Sequence, residues 1–212
     1  MTNMIESETY SSLGLYESGG RISGIPRVLL LIASVLEKSI LKNEKLFDGS
    51  RRKEVITVFH GSRSPYLSIK QYIERIFKYA KCSNSCFLVA YIYIERFLRG
   101  NDSYLTRLNV HRLLITSIML AAKFLDDECY NNAYYAKVGG VSTAEMNRME
   151  TKFIFSLEYR LQVTVEVFRH YCLKLERECS EEYQIERQFH AYGPKSVGWQ
   201  SRTQGGYSQK AM

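Results

Sequence analysis

The stretch Asn109-Val-His-Arg-Leu-Leu-Ile-Thr-Ser-Ile-Met-Leu-Ala-Ala-Lys-Phe-Leu-Asp126 decides the fold. At about 100° per residue its apolar side chains point almost all the way round a helix, and a helix that is apolar all round is a buried one. Its length approaches that of a membrane span, but Arg112, Thr116, Ser117 and Lys123 fall inside the window. The reading is a central helix wrapped by other helices. The run closes on Lys123-Phe124-Leu125, followed by the acidic Asp126-Asp127-Glu128. A short helix is expected around Asn132 to Val138, then Gly139-Gly140, then a second long helix. Ser142-Thr143-Ala144-Glu145 fits a capping box, in which the serine hydroxyl and the glutamate each satisfy a free backbone N–H. Met146, Met149, Phe153, Ile154 and Leu157 form the apolar face of that helix. Glu150 falls in the middle of this face, where a carboxylate is costly unless paired or left at an exposed edge.

Working outward toward the N-terminus, Gly100-Asn101-Asp102-Ser103 ends an earlier helix. That helix is capped by Ser83 or Asn84, and its stripe is Phe87, Tyr91, Ile94 and Leu98. Before it, Ser68 is the N-cap of a helix with Ile69, Tyr72, Ile73, Ile76, Phe77 and Ala80 on one face. Residues 47–66 read as a connection with turn signals at Asp48-Gly49-Ser50 and His60-Gly61-Ser62, and His60 is assigned no chemistry. An amphipathic helix from Arg27 to Lys45 is expected to pack on the core or to bind a partner. Toward the C-terminus, Thr164 caps a further helix with Val165, Phe168, Tyr171, Cys172 and Leu175 on one face. The expected organisation is therefore 1–25 disordered, 26–66 an N-terminal helix and connection, 67–178 the helical body, and 179–212 a basic, disordered tail.

The 212 residues, 45% hydrophobic and 24% charged, suit one globular domain with tails. Four of the net seven positive charges lie in the acid-free stretch from Arg187 to the end. The rest are scattered apart from Arg51-Arg52-Lys53, so no nucleic-acid face is expected. Five cysteines, an odd number, and no secretory signal point to reduced thiols in the nucleus or cytoplasm. Cys82 and Cys86 lack the second pair or histidines that a zinc site needs. No phosphate loop, HExxH or Gly-x-Ser-x-Gly occurs, and Asp126-Asp127-Glu128 lacks the spaced ligands of a calcium loop. No catalytic residue, metal site or cofactor is expected. The protein reads as a helical binding module and not as an enzyme.

Leu120-Ala-Ala-Lys-Phe-Leu-Asp126, with Tyr93-Ile-Glu-Arg-Phe-Leu98 before it and Arg148-Met-Glu150 after it, resembles the cyclin box. Asn132-Ala-Tyr-Tyr-Ala-Lys-Val-Gly-Gly-Val141 and Glu158-Tyr-Arg-Leu161 resemble the single-box cyclins of the phosphate-pathway type, called P- or U-type in plants. The resemblance runs from about Pro26 to Glu178. It implies an all-α fold: a five-helix cyclin box around a buried central helix, with flanking N- and C-terminal helices. It also implies binding to a cyclin-dependent kinase, with inhibitors or substrates of that kinase as further partners. Membrane and nucleic acid are not expected partners. The resemblance places Lys123 and Glu150 at the kinase contact, joined by Phe124 and Tyr135. Pairing of Lys123 with Glu150 would satisfy both residues. From the helical pattern alone Lys123 is a surface lysine.

Two departures from the wider family stand out. Glu95 replaces the Asp of an Asp-Arg-Phe-Leu string, and no arginine of the preceding helix is assigned as its partner. Ser68-Ile-Lys-Gln-Tyr-Ile-Glu-Arg-Ile76 stands where mitotic cyclins carry a Met-Arg-Ala-Ile-Leu docking patch, and the chain is too short for a full second box. The competing reading is a nucleic-acid-binding or transcription adaptor that reuses the same fold.

Overall fold

In the computed structural model, residues 2–15, 24–48 and 56–192 are described, with side chains for 8–15, 24–46 and 56–178. The described residues form eight α-helices and no strand: α1 (Thr2–Leu13), α2 (Arg27–Asp48), α3 (Ile69–Ala80), α4 (Asn84–Gly100), α5 (Val110–Leu125), α6 (Asn132–Gly139), α7 (Thr143–Ser156) and α8 (Val165–Tyr192). Helices α3 to α7 are the expected five, with α2 and α8 flanking them. The basic triplet Arg51-Arg52-Lys53 lies outside the described residues.

Helix α5 is the core. Leu113, Leu114, Ile115, Ile118, Met119, Ala121 and Ala122 are all buried, and α5 packs on α4, α7, α6 and α3. Its buried hydroxyls are satisfied within the helix. Thr116 Oγ1 donates to the Arg112 carbonyl at 2.7 Å and Ser117 Oγ to the Leu114 carbonyl at 3.1 Å. Helix α4 is buried almost as thoroughly and crosses α5 with Phe87, Leu88, Tyr91, Ile92 and Ile94 inside. Tyr93 Oη donates to the Leu161 carbonyl at 2.6 Å, and Arg96 donates to the carbonyls of Arg160 and Gln162. The Tyr93–Leu98 string therefore holds the connection between α7 and α8.

At both ends of the chain the structure differs from what was expected. Residues 1–25 were expected to be disordered, but residues 2–13 form α1. Leu13 is completely buried, Tyr10 meets Phe168 edge-on at 5.9 Å, and Asn84 Nδ2 donates to the Gly14 carbonyl at 2.7 Å. A single buried leucine in a polar, non-periodic stretch leaves no stripe to read. The tail was expected to be disordered from residue 179, but residues 180–192 are helical; they belong to a second compact unit, 180–212, whose remainder lies outside the described residues. Within the expected connection Phe59 is buried, with its ring edge-on to Phe97 at 5.0 Å and to Phe153 at 5.8 Å.

Helix α2 packs on the core through Val28, Leu29, Ile32, Leu36 and Ile40, and so answers the question of what its apolar face covers. The expected capping box of Ser142 with Glu145 is present, and the expected N-cap Ser68 proves to form a capping box as well, with Gln71. Glu95 also finds partners. It accepts from Tyr91 Oη at 2.5 Å and Tyr171 Oη at 2.8 Å, from Lys174 Nζ at 2.5 Å and from Arg99 Nη2 at 2.9 Å. Its cationic partner thus comes mainly from α8, not from the helix before it. Burial pushes the Glu95 carboxyl up, but hydrogen bonds from Lys174, Tyr91 and Tyr171 outweigh it and the net direction is down.

The two glycines after α6 have separate tasks. Gly140 is the left-handed C-cap at φ 72°, a conformation that glycine adopts without strain. Gly139 lies against α5, where an added Cβ would stand 2.8 Å from Ile115 Cγ1. Ile115 is buried and β-branched, so it has little room to turn aside. Gly139→Ala is expected to lower stability by about 1–3 kcal/mol through overpacking. In the Gly139→Ala, Ile115→Ala double variant the loss should be smaller than the sum of the single losses, as read by denaturant melts.

Candidate partner-binding site

The C-terminal end of α5 is tied down from three sides. Asp126, its C-cap, accepts from the Ser83 backbone N–H at 3.0 Å and from Cys86 Sγ at 3.3 Å. Ser83 is the N-cap of α4 but makes no side-chain cap bond of its own, so the Asp126 carboxylate takes that role from a neighbouring helix. A carboxylate at a helix N-terminus is also favoured by the macrodipole. Asp126 is therefore not simply the start of a solvated acidic run.

One turn earlier, Lys123 donates to Glu150 Oε1 of α7 at 2.6 Å and to Asn132 Oδ1 of α6 at 2.5 Å. Asn132 closes the ring by donating to Glu150 Oε2 at 2.6 Å and to Asn147 Oδ1 at 2.8 Å. The Lys123 and Glu150 side chains are 30% and 18% exposed, so the pair is half sheltered and not in open water. The expected pairing is present. Asn132 as its hub is a residue that sequence reasoning missed. Its only signal was a position just inside the α6 start, beside the N-cap Asn131, whose side chain accepts from the Tyr134 N–H at 3.0 Å.

Beside this polar ring, Phe124 is 50% exposed and Leu125 43% exposed. Two apolar side chains at the end of a helix that is otherwise buried form the apolar part of the site. Tyr135 does not join them. It is completely buried and its hydroxyl lacks a hydrogen-bond partner. The structure places the Tyr135 ring in the core beneath α6, apart from Phe124, because an aromatic one turn into a short helix faces inward when Tyr134 faces out. Tyr134 stacks on Tyr130 at 3.9 Å and donates to the Tyr79 carbonyl at 2.8 Å.

At the other end of α5, Arg112 Nη2 donates to Glu145 Oε1 at 2.5 Å and Arg112 Nη1 to the Val58 carbonyl at 3.2 Å. The α5–α7 interface thus carries one ion pair at each end, which fixes the angle between the helices that present Lys123 and Glu150. Among the described residues, no group of three or more His, Cys, Asp or Glu side chains is placed to hold a metal ion. None of the described helices is long and apolar enough to cross a membrane.

An all-α box built round a buried helix, with a lysine, a glutamate and exposed apolar residues at one end of that helix, defines the class. Residues 25–161 match the family model described as Cyclin. The chain is 54% identical over 173 residues to Cyclin-P3-1 of Oryza sativa subsp. japonica, covering 81% of this chain and 73% of that protein. It is 46% identical over 202 residues to Cyclin-U3-1 of Arabidopsis thaliana, covering 94% of this chain and 90% of that protein. Cyclin-U1-1 of Arabidopsis thaliana is 48% identical over 155 residues, covering 72% and 74%. The chain belongs to the cyclin family, and these relatives are plant P- and U-type cyclins.

Glu145 lends itself to a pH test of the α5–α7 clamp. The Ser142 backbone N–H, the Arg112 guanidinium and the Ser142 hydroxyl hold its carboxyl down at about 2, against an ordinary 4.5. A carboxyl depressed in the folded state contributes stability that is fully present above its unfolded value and is lost as pH falls through the folded one. Wild type should therefore be more stable than Glu145→Gln above about pH 4.5. The gap should shrink as pH falls toward 2. Melting temperatures of the two proteins across this window check it, and a gap independent of pH contradicts it.

Proposed function

We propose that the chain is the regulatory subunit of a cyclin-dependent kinase and that it activates the kinase by holding the kinase's regulatory helix in the active position. The observation that carries this reading is the Lys123–Asn132–Glu150 ring at the end of α5, set beside exposed Phe124 and Leu125. A kinase is inactive while its regulatory helix is displaced, because the catalytic Lys–Glu ion pair cannot form. A surface complementary to the inward position shifts the population toward the active state. The cyclin needs no catalytic residue for this, and it is not itself an enzyme in this reading. Lys123 supplies donors and Glu150 acceptors to the kinase backbone, while Phe124 supplies apolar area. The four described cysteines are free thiols, which suits action in the nucleus or cytoplasm with the kinase.

Substitution of the pair tests the proposal. In Lys123→Ala and Glu150→Ala, kinase affinity is expected to fall by about 2–5 kcal/mol, the cost of removing one member of a desolvated, hydrogen-bonded charge pair. An exposed pair outside an interface would change affinity by at most about 1 kcal/mol. The double variant should lose much less than the sum, since both residues serve one contact. Kinase binding by titration calorimetry, with the melting temperature of the free cyclin recorded alongside, separates the outcomes. Normal binding by both variants refutes the assignment, and unfolding of the free protein reduces the pair to a structural clamp.

A further inference from the structure

We propose that Ser64 is a phosphorylation site for a protein kinase that requires proline after the acceptor serine, and that the phosphate is held by Arg107 across the cavity beneath it. The inference stands apart from the kinase-binding role of Lys123 and Glu150. Of the three prolines, Pro26 follows Ile25, Pro194 follows Gly193 and Pro65 follows Ser64, so Ser64-Pro65 is the single Ser/Thr-Pro pair in the chain.

The fold presents this pair in the form that a kinase needs. The segment from Ser62 to Ser68 is irregular and exposed throughout. It is an arc held at both ends. Upstream, the Gly61 N–H donates to the Leu108 carbonyl at 2.8 Å. Downstream, the Leu67 carbonyl is hydrogen-bonded to His111 Nε2 at 2.9 Å and Ser68 closes the α3 capping box. Pro65 biases Ser64 away from helical backbone toward extended backbone. The hydroxyl thus sits on an extended, solvent-facing arc that can enter a kinase cleft without unfolding any helix.

The arc lines a cavity of about 350 Å³. Ser64 lines it together with Ile40 and Leu41 of α2, Arg107 just before α5 and His111 in the first turn of α5. Arg107 Nε donates to Glu44 at 2.9 and 3.3 Å, but both side chains are exposed, so this pair is weak. In the phosphorylation step Ser64 Oγ attacks the γ-phosphorus of ATP. The bond from that phosphorus to the bridging oxygen breaks, ADP leaves and the hydroxyl proton is released. The product carries nearly two negative charges and three strong acceptor oxygens. Arginine offers five donors in a planar fork that suits phosphate bidentately. Arg107 therefore turns from the Glu44 carboxylate to the phosphate, and Glu37, the acidic residue of the same cavity, repels it from the α2 wall. The result is an arc pinned over the cavity mouth.

Incubation of the full-length protein with a purified proline-directed serine/threonine kinase and ATP, followed by tandem mass spectrometry, tests the site. One phosphate on Ser64, absent from Ser64→Ala, is expected. A phosphatase should then release it several-fold more slowly from wild type than from Arg107→Gln, whose melting temperature confirms that it is folded. Equal release rates overturn the Arg107 contact, and no label on Ser64 overturns the proposal as a whole.

Discussion

The structure depends on one constraint: α5 is apolar on every side and must be covered on every side. Helices α4, α7, α6 and α3 do so, and each presents a different kind of surface. Helix α4 gives nearly its whole circumference, so it is itself buried. Helices α3 and α7 give one stripe and keep polar outer faces. Helix α6 contributes only eight residues, and its approach to Ile115 requires the missing side chain of Gly139. The constraint extends to polar atoms. Thr116 and Ser117 can lie at the centre of the protein because their hydroxyls bond carbonyls of their own helix and ask nothing of the neighbours.

The ends of α5 are where this burial stops, and there charge takes over from packing. Arg112 with Glu145 marks one end and Lys123 with Glu150 the other. Each pair sits at the rim, partly sheltered, where the cost of desolvation is modest and the geometric benefit is retained. Asp126 adds a third tie by serving the N-terminus of α4. The position of Lys123 therefore follows from the packing of α4 against α5 as much as from its own contacts.

Much of this was legible before the structure. A run apolar all round has one physical reading, and the N-cap at Ser68 and the capping box at Ser142 are local patterns that need no tertiary information. That Glu150 needs a partner was legible because a carboxylate on an apolar face is costly alone; that the partner is Lys123 came from the resemblance, since the helical pattern alone makes Lys123 a surface lysine. What escaped were features set by long-range packing. Leu13 is one buried residue without a period, Phe59 is one aromatic in a connection, and Tyr135 and Tyr134 are neighbours whose opposite orientations depend on where α6 docks. Lys174 reaches Glu95 from 79 residues away in sequence, a distance that no helical period spans. Asn132 was hidden for the same reason: an amide in a helix start is common, and its role as a hub exists only once α5, α6 and α7 meet.

In the proposed complex, this arrangement changes what a partner gains. Lys123 and Glu150 are already hydrogen-bonded in the free cyclin, and their rotamers are set by Asn132. A partner helix that approaches them does not have to freeze two long, mobile side chains, a cost that surface lysines and glutamates ordinarily impose on binding. It also does not find an unpaired charge to neutralise, so the favourable term is the surplus of donors on the Lys123 ammonium and of lone pairs on Glu150 that the ring leaves over. Phe124 and Leu125 add area whose exposure in the free protein is otherwise unexplained by the burial of the rest of α5. The site is thus better described as a preorganised template than as a latch that forms on contact, and its rigidity traces back through Asp126 and Glu145 to the helix that had to be buried.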